Sequence, residues 1–314
     1  PDLLEVPGSL HGCDVMANTV KHPGGASATS LSPPAPAVDT SAWEVVQTFD
    51  FTGMSAYTFG DNDTETLDGV DWISRNQTRS SSFQIKATGL EIASGASQTS
   101  NRWFSTVQNG PALFADLSDI VSGYDLNDTI VLQALLSSSA TTVQSDGDEG
   151  SQYIYAGILA GDGGYGNSGG GNWIQSAYYR RLSESTNYYF SRYGGGASAG
   201  HGTNYAFSDT GGSAPTFLEL VLYPGTGFST AGSLDADFQD PLTVTGGRFY
   251  GNMQTTLPKD IGTGSTTSPG ATPDFTLRPA NLHCGLTFYY LTTGGNRASE
   301  GQATFTKFRV LKRK

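Results

Sequence analysis

Carboxylates gather in three short runs of this chain: DNDTE at Asp61–Glu65, DGDE at Asp146–Glu149 and DADFQD at Asp235–Asp240. Oxygen ligands crowded on turns suit calcium, which binds through carboxylates and carbonyls. None of the runs carries the internal Gly and terminal Glu of an EF-hand loop. Asp146 and Asp148 are the pair expected to hold calcium if any run does, because they adjoin a tyrosine-rich stretch. Solvated turns are the competing reading for all three runs. No other cofactor is expected.

Glycoside hydrolysis requires two carboxyl groups flanking the scissile bond, and the E-x-D-x-x-E strand motif of sandwich-fold glucanases is absent. The four histidines, His11, His22, His201 and His283, are scattered, with none in a metal-binding spacing such as H-E-x-x-H. His201 with Arg192, Tyr193 and Tyr205 is similar to the Tyr, His and Arg sets of polysaccharide lyases, although a loop this rich in tyrosine gathers such residues by chance. No phosphate-binding G-x-x-x-x-G-K-[ST] loop occurs. The expectation is a protein without catalytic activity.

Binding chemistry is better represented. Between Asp146 and Gly212 lie nine of the fifteen tyrosines and seventeen of the forty-one glycines, among Ser, Asn and Arg. Tyrosine gives stiff amphipathic contact area at low entropic cost, and Gly, Ser and Asn give adaptable hydrogen bonding. Gln152–Gly161 and Ser176–Leu182 alternate like strands, while GDGGYGNSGGGNW and SRYGGGASAGHGTNY read as loops held by them. Sugars stack their C–H faces on aromatic rings, so Tyr165, Trp173 and Tyr193 are the expected ligand contacts. An edge sheet with glycine-rich connectors is the alternative. Trp43, Trp72 and Trp103 lie in strand-like segments and are expected in the core.

The elements that must position these residues are short strands. WEVVQTFDF, FQIKATGLEI, TIVLQALL, PTFLELVLYP, LTVTGGRFYG, CGLTFYYLTT and ATFTKFRVLK carry β-branched and aromatic residues between Gly, Asn, Asp and Ser clusters. ALFADLSDIVS, Ala112–Ser122, has helical spacing and predicts one short helix. Many short strands with glycine-rich turns predict an all-β fold, an antiparallel sandwich or barrel. Ahead of them, residues 1–43 form a distinct zone, and His22–Ser41 is rich in Pro, Ala, Ser and Gly without periodicity. Alone such a composition predicts an extended, mobile arm, and docking on the body or on a neighbouring subunit is the expected way it becomes ordered.

The chain has 314 residues, 15% of them charged, and a net charge of −12, which argues against an extended nucleic-acid surface. Five of its seventeen basic residues occupy the last eight positions, as a solvated chain end or a local electrostatic contact. Cys13 and Cys284 can form one disulfide at most. No apolar run approaches the length of a membrane span, and the sequence from Pro1 lacks the order of a signal peptide. A cytosolically made protein outside the general secretory route is the expectation.

The order WEVVQTFDFTG, DGVDWISRN, FQIKATGLEI and a closing ATFTKFRVL resembles the concanavalin A-like or laminin G-like jelly-roll sandwiches that recur in phage tail, fibre and capsid-surface proteins. The resemblance is one of layout over roughly Trp43 to Leu311. It implies a jelly-roll β-sandwich over residues 44–314, with Trp43–Phe51 paired to Ala303–Leu311. It also implies carbohydrate or host-surface binding, although a fold does not settle a function. The expected role is a structural protein at the surface of a virus particle, docked to other virion proteins through residues 1–43. A homo-oligomer, with a trimer as the guess, fits such particles. A free carbohydrate-binding module or lectin, and less readily a polysaccharide lyase, are the alternatives.

Overall fold

The computed structural model describes residues 42–75, 82–95, 112–125, 127–137, 141–142, 152–161, 173–181, 187–194, 204–209, 216–223, 228–241, 248–251, 282–292 and 300–314. Backbone contacts divide the chain into two units, Pro1–Ala37 and Val38–Lys314, and every described residue belongs to the second. The expected arm, apart from residues 42 and 43, lies outside the described residues.

Within them the chain is almost entirely β. The strands are β1 (Trp43–Asp50), β2 (Tyr57–Phe59), β3 (Thr64–Leu67), β4 (Val70–Arg75), β5 (Ser82–Lys86), β6 (Gly89–Gly95), β7 (Ala112–Asp116), β8 (Ile130–Leu136) and β9 (Thr141–Thr142). They continue with β10 (Gln152–Gly161), β11 (Trp173–Arg181), β12 (Asn187–Gly194), β13 (Asn204–Asp209), β14 (Phe217–Leu222), β15 (Phe228–Ser233), β16 (Arg248–Gly251), β17 (His283–Thr292) and β18 (Glu300–Arg313). A single turn of helix, α1 (Leu117–Ile120), follows β7. The expected helix over Ala112–Ser122 is therefore a strand for its first half. Its apolar spacing serves a strand buried on both faces, where alternation carries no signal.

Two antiparallel sheets form the sandwich. The first runs β16-β15-β14-β8-β18-β6-β5-β2, with β1 and β9 also paired to β18. The second runs β13-β12-β11-β10-β17-β7-β4-β3. Inward residues of both build one core, among them Phe49, Phe83, Ile92, Leu132 and Phe308 from the first sheet and Trp72, Leu113, Ile158, Ile174 and Leu286 from the second. Each such side chain contributes roughly 1.5–3 kcal/mol by leaving water. Trp72 is the hub: Phe49 meets it edge-on at 4.9 Å and 89°, Phe308 at 5.8 Å and Phe51 at 6.3 Å.

The first and last strands close the sandwich as the resemblance implied. β1 pairs antiparallel with β18 from Trp43↔Arg313 to Asp50↔Lys307, and the Phe51 N–H continues the ladder to the Thr306 carbonyl. The basic tail is therefore paired into the sheet, with Arg313 and Lys314 exposed at its end. Lys307 pairs with Asp50 at 3.0 Å and Lys312 with Asp128 at 2.8 Å. Trp43 departs from its expected core position: it is half-buried and packs on the outer side of the first sheet against Val131, Val221 and Leu311. Regular alternation would put Trp43 and Phe49 on one face; the register shift between Val45 and Gln47 reverses the parity, so Phe49 faces the core and Trp43 the outer side.

That outer side is strapped down by the third acidic run. Glu219, Gln133 and Arg309 stand side by side on β14, β8 and β18. Arg309 Nε donates to Gln133 Oε1 at 2.6 Å, and Gln133 Nε2 donates to Glu219 Oε2 at 2.6 Å. The Gln239 carbonyl accepts from Arg309 Nη2 at 2.7 Å and from Gln133 Nε2 at 2.9 Å, while the Phe238 ring lies 4.3 Å from the guanidinium carbon. Burial holds the Arg309 pKa below its ordinary value, against the pull of Asp240 and Glu219.

Candidate binding face on the second sheet

Strands β10–β13 and β17 hold the tyrosine-rich stretch, and their pairing sorts its residues by face. Ala156, Ile158, Ile174, Tyr178, Tyr189 and Leu286 point into the core. Tyr178 is 2% exposed and Tyr189 0%, so part of the tyrosine enrichment is core chemistry. The Tyr189 hydroxyl meets Ser176 Oγ at 3.0 Å, and Ser176 Oγ donates to the Ala231 carbonyl of the opposing sheet at 3.3 Å. These strands are thereby tied across the sandwich.

The alternate positions form rows on the opposite face. One row reads Asp116, His283, Gly161, Trp173, Gly194 from β7 to β12. The next reads Phe114, Gly285, Leu159, Gln175, Arg192, Tyr205, extending to β13. Four residues further along, Tyr289, Tyr155, Tyr179 and Tyr188 occupy one row on four adjacent strands, ending at Asp209. At the usual strand spacing those four tyrosines span about 14 Å. Strands β10–β13 carry Arg180, Arg181 and Arg192 against one acid, Asp209, in a chain of net charge −12.

This face has packing of its own where side chains are described. Ala112, Phe114 and Leu159 are buried together with Ile73 beside them. His283 Nδ1 pairs with Asp116 Oδ1, and the Phe114 ring meets the imidazole edge-on at 5.0 Å. Gln175 is 2% exposed, and its Oε1 has no hydrogen-bond partner. A buried acceptor left in that state costs about 1–3 kcal/mol.

Of the expected ligand contacts, Trp173 opens β11 opposite Gly161 and Gly194, in the same row as His283. Tyr193 stands opposite Ile174 near the end of β12, a row of the other parity. Tyr165 lies outside the described residues, as do His201 and the expected calcium ligands Asp146 and Asp148. Arg192 and Tyr205 are ladder partners, so segments expected to be loops reach into β12 and β13.

The first acidic run is a folded turn. Asp63 Oδ2 accepts from the Tyr57 hydroxyl at 2.8 Å and the Gly60 N–H at 3.1 Å, and Oδ1 accepts from the Thr64 N–H at 3.1 Å. These bonds hold the Asp63 carboxyl below the usual carboxylate range and push Tyr57 up to about 12. Among the described residues no three His, Cys, Asp or Glu side chains gather as a metal site. Cys284 is a free thiol inside the core, its pKa raised by burial. No described helix is long and apolar enough to cross a membrane.

Gln175, the His283–Asp116 pair and the tyrosine row escaped the sequence. The doublets at 178–179, 188–189 and 289–290 were the available signal, since adjacent tyrosines in a strand must take opposite faces.

No protein-family model matches this chain, and no curated protein matches it. Among solved structures it is similar to an alginate lyase from Pseudomonas aeruginosa, with 18% identity over 73% of this chain and 84% of that one and a TM-score of 0.36.

Proposed function

We propose that this chain is a non-catalytic glycan-recognition sandwich carried on the surface of a virus particle, with the outward rows of β17, β10, β11 and β12 as its reading face. The observation that supports it is the tyrosine row, with Trp173, Gln175 and Arg192 in the rows beyond. Tyrosines at ladder positions one strand apart suit an extended glycan, whose sugar units repeat at a similar interval. Particle attachment is supported by the low-complexity composition of residues 1–43 and by the layout shared with phage surface sandwiches. A homo-oligomer is the assembly that suits this role.

The test is calorimetric titration with cellohexaose, chitohexaose, maltohexaose and an oligogalacturonate. Binding is expected for the wild type and lost in Trp173→Ala and in the Tyr179→Ala/Tyr188→Ala double variant, with melting temperatures within a few degrees of wild type. No binding to any glycan would refute the reading. Cleavage of a polysaccharide by wild type but not by His283→Ala would replace it with an enzyme. Deleting residues 1–42 should abolish incorporation into the particle; retained incorporation would remove the attachment role.

A further inference from the structure

We infer that Gln175 is the polar anchor of this face, its Oε1 accepting a hydrogen bond from a donor on the ligand such as a sugar hydroxyl or an acetamido N–H. The inference rests on the glycan reading above.

Two buried glutamines among the described residues make the comparison. Gln133 is 0% exposed and fully used: Oε1 accepts from Arg309, and Nε2 donates to Glu219 and to the Gln239 carbonyl. Gln175 is 2% exposed, yet its Oε1 accepts from nothing. Its described neighbours on the same face are apolar, Leu159 across the ladder on β10 and Ala177 two residues on. A methionine or leucine would fill that place with no orphaned polar atom. An amide retained against folding stability is explained by a partner that arrives with the ligand.

Placement agrees. Gln175 stands at the centre of its row, with Arg192 as its β12 partner and the Trp173 row immediately beyond. A ligand that lies along these rows and reaches that buried carbonyl must present a donor at one point. That demand confers specificity, because a ligand lacking the donor leaves the acceptor unsatisfied again.

The test uses the full chain with Gln175→Met, close in shape, and Gln175→Leu as a second variant. Melting temperature and calorimetric titration with the four oligosaccharides above are both measured. Removing the unpaired carbonyl is expected to raise the melting temperature by about 2–4 °C. The same change is expected to weaken binding of the preferred glycan by roughly 3- to 10-fold. A lower melting temperature in both variants would overturn the inference, since the amide would then be serving the fold. Unchanged affinity in a wild type that binds would overturn it while leaving the glycan reading intact. Absence of wild-type binding would remove both.

Discussion

Gly232→Ala measures how tightly the two sheets are locked beneath the tyrosine-rich strands. Gly232 lies on β15, and the Tyr189 ring of the opposing sheet rests on it. A Cβ at Gly232 would come 2.4 Å from Tyr189 Cδ2 and 2.9 Å from Cε2, so the ring would have to retreat by about 1 Å to reach ordinary contact. It cannot retreat freely. Its hydroxyl is held by Ser176 Oγ, which is bonded to the Ala231 carbonyl next to the substituted residue. Overpacking of this kind costs about 1–3 kcal/mol, and losing the Tyr189–Ser176 bond adds about 0.5–1.5 kcal/mol. Together they give about 1.5–4.5 kcal/mol, measured as the shift in urea unfolding midpoint at constant slope. In a cycle with Tyr189→Leu, the second substitution should recover at least 1 kcal/mol, because the two changes share one contact. A Gly232→Ala protein within 0.5 kcal/mol of wild type, on the order of an ordinary surface change, would show that the sheets separate easily and refute the locked contact.

Arg309→Met should destabilise by about 1.5–3 kcal/mol in the same assay, because Gln133 Oε1 and the Gln239 carbonyl would lose the charged donor they share. Asp63 supports stability that is fully present above the unfolded carboxylate pKa near about 3.9 and is lost as pH falls through its lowered folded value. Below about pH 4 the wild type should therefore lose stability faster than Asp63→Asn, read by thermal melts from pH 2 to pH 7. The same variant should bring the Tyr57 titration, followed by ultraviolet absorbance, down from about 12 toward the ordinary value near about 10.

Much of the fold was legible because its signals are local. The strand runs TIVLQALL and FLELVLYP reappear as β8 and β14, and FQIKATGLEI as the hairpin of β5 and β6. Gly89, at φ +124° with no room for a Cβ beside the Phe305 carbonyl, follows the turn between those two strands. The short strands β2, β3 and β15 were missed, since YTF, TETL and FSTAGS lack an apolar run. The Asp235–Asp240 run was legible as acidic and illegible as a strap. Its role depends on Arg309 and Gln133, brought under it only when β8, β14 and β18 pair.

By itself the amino-acid sequence determined an all-β fold of short antiparallel strands, rich in tyrosine along one stretch; the sandwich closed by its first and last strands was what the resemblance in layout implied. Alternation, turn residues and composition act over a few residues and need no partner to be read. Tertiary structure alone decided that Tyr178 and Tyr189 enter the core, that His283 meets Asp116, and that Gln175 keeps an unpaired carbonyl in a buried row. Each of these depends on strand register, a property of pairing between distant segments. A slip of one residue would exchange the two faces and place the core tyrosines on the outer rows of the second sheet.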